Sequence, residues 1–97
     1  MSADTVVAMR LVNGDEILGR LADDQNLASP EFTLTRVRHV IVQQTADGLQ
    51  TVLMPWSFCN VNGEVKVVRA NVLAFLNPDA TSVAAYQQQT TTIQLSL

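Results

Sequence analysis

Cysteine, histidine, tryptophan and tyrosine each occur once in this chain of 97 residues. A single cysteine, Cys59, excludes an internal disulfide and is compatible with a reducing compartment. A single histidine, His39, with no cluster of Cys, His or carboxylate ligands at metal spacing, leaves nothing to build a zinc site. His39 and Cys59 could meet in space as base and nucleophile, but His39 sits in a strand flanked by Arg38 and is read as a surface or interface histidine. No catalytic residue, cofactor or metal is therefore expected, and the chain does not read as an enzyme. The four glycines, 14, 19, 48 and 63, are too far apart for a phosphate-binding loop. No apolar run approaches the roughly eighteen residues of a membrane helix. Met1–Asp4 show no basic stretch before an apolar one, so a secretory signal is not expected and the reading is a cytoplasmic protein with no membrane partner.

Charge is also scarce. Charged residues are 15% of the chain, against about 25% in an average soluble domain. Hydrophobic residues are 47%, which excludes a disordered chain. A small domain has much surface to cover, so this shortage of charge points to surface hidden against other chains. The net charge is −3, so no general attraction to nucleic acid exists. Its distribution is uneven. Residues 1–35 hold two Arg against six acids, whereas residues 36–78 hold Arg36, Arg38, Lys66 and Arg69 against Asp47 and Glu64.

What is present reads as strands. Val6–Val12 place Val7, Met9 and Leu11 on one face. Asn13-Gly14 suits a tight turn with positive φ angles. Ile17–Ala22 return, with Ile17, Gly19 and Leu21 inward, and a glycine there marks a bend or a close backbone approach. Phe32 to Gln44 is strand-like, but its apolar positions pass from even (Phe32, Leu34) to odd (Val37, Ile41). A bulge near Thr35-Arg36 is predicted. Ala46-Asp47-Gly48 is a turn, and Leu49–Met54 the next strand. Asn62-Gly63 is read as a second hairpin turn between Phe58–Val61 and Val65–Val68. Val72–Leu76 is the last strand. Asn77 is placed as a helix cap, with Pro78 in the first turn and Asp79 near the dipole, opening a helix over about 78–89. Residues 90–97 form a tail in which Ile93, Leu95 and Leu97 alternate with polar residues.

Val7-x-Met9-x-Leu11-x-Asn13-Gly14, with Gly19-x-Leu21 following, resembles the first motif of the Sm-like (LSm) family. Val68-Arg69-Ala70-Asn71-Val72 is similar to its second motif. The layout looks closest to the short, divergent members found among phage and bacterial sequences. The resemblance implies one domain over 1–97: a mostly β, five-stranded, strongly bent Sm-like (SH3-type) open barrel over about 5–76, with a short C-terminal helix. It also implies a homo-oligomeric ring of about five to seven subunits, since open strand edges pair head to tail. The implied function is RNA binding or RNA chaperoning without catalysis. Asn26, Arg69 and Asn71 are the candidate contacts to single-stranded RNA, with Arg36 and Arg38 on phosphates. The loop after the second strand holds Asp23, Asp24 and Asn26 but no aromatic to stack a base. A structural ring that binds protein instead of RNA therefore stands beside the first reading. Ile93 and Leu95 are candidate interface residues, and Trp56 and Tyr86 are candidates for either the core or an interface.

Overall fold

Short-range alternation and turn residues set the first half of the fold. In the computed structural model, which describes residues 5–91, β1 (Thr5–Leu11) and β2 (Glu16–Leu21) form the first hairpin. Gly14 has φ 97°, while Asn13 does not share a positive φ. Gly14 N–H donates to Leu11 O at 2.9 Å and Leu11 N–H to Asp15 O at 2.8 Å. The turn is thus a three-residue loop with glycine in the left-handed position, rather than the two-residue turn that needs both central residues there.

β3 (Glu31–Thr45), β4 (Gly48–Pro55), β5 (Glu64–Val68) and β6 (Val72–Leu76) complete a six-stranded antiparallel open sheet. Its order is β4-β3-β2-β1-β6, with β5 also on β3. The helix α1 (Ala80–Thr91) follows. The sheet has six strands, not five, because the 15 residues of β3 offer an edge long enough for two partners in succession. β4 pairs along Arg38–Thr45 and β5 along Glu31–Thr35, both on the edge opposite β2.

Residues 56–63 form an excursion between β4 and β5. The expected Asn62-Gly63 hairpin is absent: residues 57–63 contain no strand, and Gly63 is not in the left-handed region. Asn62 is drawn elsewhere, since its Oδ1 accepts a hydrogen bond from Arg38 at 2.7 Å. The longer ladder on β3 outcompetes a local hairpin.

The predicted bulge is present. Leu18 pairs with Arg38 and Arg20 with Thr35, so Gly19 stands opposite both Arg36 and Val37. Arg36 takes φ 52°, an uncommon region for a residue with a Cβ. The extra residue returns Val37 to the face of Phe32 and Leu34, and all three share the inner core with Val7, Met9, Leu11, Ile17 and Val67. Gly19 permits this close approach: a Cβ there would lie 3.1 Å from Leu34 Cβ and Cδ1. Full burial of side chains such as Met9, Ile17 and Leu34 contributes about 1.5–3 kcal/mol each.

α1 covers the other face. Asp79, not Asn77, caps it, because its Oδ1 accepts Ser82 N–H at 2.7 Å. The helix accordingly starts about two residues later than expected and reaches Thr91. Its anchor is Tyr86, fully buried beside Ala8 and Leu18. The Tyr86 hydroxyl donates to Arg36 O at 2.8 Å, so the helix is pinned to the bulge itself. Burial pushes the phenol up to about 12, against the opposing effect of Arg20, Arg38 and Arg36. Among the described residues no helix is long and apolar enough to cross a membrane.

Candidate functional site

The chain passes from β5, on β3, to β6, on β1, through a single 3-10 turn, Arg69–Asn71. Two backbone hydrogen bonds tie this corner down: Arg69 N–H to Pro30 O at 2.8 Å, and Val12 N–H to Asn71 O at 2.9 Å. The corner is therefore held at one end by the β2–β3 loop, which contains Asn26, and at the other by the tip of the first hairpin. Both Arg69 and Asn71 are exposed. Asn26 is exposed too, but its Oδ1 accepts Ala28 N–H at 2.8 Å, which makes it a loop-shaping residue as well.

Arg36 and Arg38 lie apart from that corner. Arg36 sits half-buried in the bulge, whereas Arg38 is only 2% exposed. The Arg38 guanidinium donates to Gln89 Oε1 (2.7 Å), Val61 O (2.9 Å), Asn62 Oδ1 (2.7 Å) and, at 3.3 Å, Val37 O. Desolvation lowers its pKa from the ordinary arginine value. Expected as a phosphate contact, Arg38 instead joins α1 to the 56–63 excursion and has its donors committed within the chain. A four-way hydrogen-bonded cation of this kind is costly to disconnect.

Of the interface candidates, Tyr86 belongs to the core, as described. Ile93 and Leu95 lie outside the described residues. Trp56 is half-buried against the inner core. Its indole Nε1–H donates to Asp15 Oδ2 at 3.0 Å, while His39 Nε2 lies 3.4 Å from Asp15 Oδ1. That indole bond is the main cause holding the Asp15 carboxyl below its ordinary value, with Asn13 and His39 adding to it against partial burial. His39 thus faces Asp15, and Cys59 is exposed with its Sγ 3.3 Å from Ser57 Oγ. No hydrogen bond joins His39 to Cys59. Among the described residues no group of three or more His, Cys, Asp or Glu is placed to hold a metal ion.

The Trp56–Asp15–His39 cluster was invisible in sequence, because its members are separated by whole strands. Beside it a cavity of about 360 Å³ is lined by Trp56, Leu11, Val65, Val67, Lys66 and Asn71, among others. Trp56 therefore lines the same cavity as one of the sequence candidates, Asn71. A second cavity of about 380 Å³ lies between the N-terminal turn of α1 and the sheet face bearing Ala8, Leu18, Val40 and Leu53.

No protein-family model matches the chain, and no curated protein does.

Proposed function

We propose that the chain is a non-catalytic Sm-like module of the open-barrel type, which joins copies of itself edge to edge into a ring and holds single-stranded RNA. One observation carries the assembly reading. The sheet ends in β4 and β5 on one side and β6 on the other, and among the described residues none of these outer edges carries a further strand. Unpaired edges at opposite ends favour head-to-tail pairing, which closes a ring when the rotation allows. The β6 edge is also apolar: Leu73 is 66% exposed and Phe75 43%. The short 3-10 corner and the return of β6 to β1 support the barrel type. The exposed Arg69 and Asn71, beside the Asn26 loop, support the RNA reading.

Sedimentation or native mass spectrometry tests the assembly. The expected mass is about five to seven times the chain's 10.6 kDa, and a monomer at micromolar concentration overturns it.

A second reading, a structural ring that binds protein, is favoured by the net charge of −3 and by the commitment of Arg38 inside the fold. Titration with single-stranded RNA at low salt, where phosphate contacts are strongest, separates the two. Absence of binding there leaves the structural ring.

A further inference from the structure

The cavity beside Trp56 has the chemistry of a base-binding site. Its volume of about 360 Å³ falls at the lower end of small-molecule clefts, roughly 300–1,000 Å³, which suits a single flat ring. Leu11 and Val67 are buried and Val65 and Trp56 half-buried, so its inner surface is apolar, whereas Lys66 and Asn71 at its margin are exposed. Among the described residues no carboxylate lines it, although the chain carries nine Asp and Glu. Among the described residues Lys66 has a long, exposed contact to Glu31, 3.8 Å, and such pairs are weak.

Trp56 is oriented in advance. Its one N–H is taken by Asp15, which in turn faces His39. What the indole has left to offer a ligand is its π-surface, and aromatic stacking accepts any base. The amide of Asn71 supplies both donor and acceptor groups, the complement of a base edge. Its backbone is fixed by the bond from Val12 N–H to Asn71 O at 2.9 Å.

We infer that this cavity takes one base of a single-stranded RNA, with Trp56 as the stacking surface, Asn71 on the base edge, and Lys66 and Arg69 on the flanking phosphates. The inference rests on the RNA-binding reading and supplies the aromatic that the Asn26 loop lacks.

Trp56 is the only tryptophan, so its emission reports this cavity directly. The full chain is titrated at low salt with oligouridylate and oligoadenylate, unlabelled for Trp56 emission and end-labelled for anisotropy. Both signals should saturate with one midpoint. Trp56→Leu should weaken binding by about five- to a hundred-fold, the usual range for removing a stacking aromatic. Because that change could disturb packing, Val12→Asp is the second variant. Val12 is 60% exposed and lines the cavity, so a carboxylate there should leave far-ultraviolet dichroism unchanged and weaken binding about fivefold or more by phosphate repulsion. Anisotropy that rises while Trp56 emission stays constant, or binding indifferent to Val12→Asp, places the RNA elsewhere and overturns the inference, leaving RNA binding intact. No change in either signal overturns both. An emission shift that follows protein concentration without RNA assigns the cavity to a second copy of the chain and overturns it as well.

Discussion

The β1–β2 hairpin and the β3–β4 hairpin belong to one sheet, yet they meet opposite surroundings. Val7, Ala8, Met9, Leu11, Ile17, Leu18 and Gly19 of the first are all buried, with the inner core on one face and α1 on the other. In the second, Val42 is 59% exposed and Leu49 72%, and residues 46–51 are exposed throughout. The two have similar backbone pairing, with Thr45↔Gly48 closing the second as tightly as any hairpin. Hydrogen bonds therefore do not distinguish them. What differs is the apolar surface removed from water, the dominant stabilising effect in folding. A hairpin held by its ladder alone is marginal in water. The outer part of the β3–β4 hairpin is the region where a neighbouring subunit would add most.

The same truncation placed in each hairpin measures that difference. Met9→Ala should cost about 2–5 kcal/mol in urea unfolding, the usual loss for a large apolar side chain in a packed core. Leu49→Ala should change it by no more than about 0.5 kcal/mol. Comparable losses at both sites would show that the outer hairpin is covered in solution.

The next largest effect concerns the point where β3 passes from its buried half to its exposed one. Tyr86 clamps the bulge there through Arg36 O. A phenol raised to about 12 from an ordinary value of 10 stabilises the fold fully below pH 10 and loses that contribution as pH climbs toward 12. The urea-unfolding stability should fall across that window. In Tyr86→Phe that fall should vanish, with a cost near 1 kcal/mol at neutral pH for the lost hydrogen bond.

A smaller effect lies at acid pH. Asp15 ties the first hairpin to Trp56, and its carboxyl is lowered from 3.8. A depressed carboxyl contributes above its unfolded value and loses that contribution as pH falls through the folded one. Trp56 emission should hold steady down to about pH 4 and shift below it, and Asp15→Asn should remove the transition.

The smallest expected effect on the fold has the largest expected effect on assembly. Val42→Asp with Leu49→Asp should leave the far-ultraviolet spectrum intact while lowering the mass of the particle. An unchanged mass would place the subunit contact away from this hairpin.

Much of the local structure was legible. The first hairpin follows from alternation around Gly14, and the bulge from apolar positions that change parity between Leu34 and Val37. Gly19 announced a close approach, which Leu34 makes. The helix was legible, but its cap was misplaced by two residues, since Asn77 and Asp79 are both competent caps and the Ser82 N–H is what selects Asp79. The candidate site was less legible. Asn71 and Arg69 were found through a motif resemblance, and the corner they occupy is exposed. Arg38 was expected on phosphates through the same resemblance, and nothing local shows Gln89 or Asn62 arriving to satisfy it.

By itself, then, the sequence determined where strands begin, turn and change face, because those choices depend on neighbours a few residues away. Only the tertiary structure decided which edge β5 would take, that Arg38 and Tyr86 would lie beneath or within α1, and that Trp56 and Asn71 would line one cavity. Each of these is a competition between distant partners, settled by which ladder is longer and which side chain gains more by leaving water.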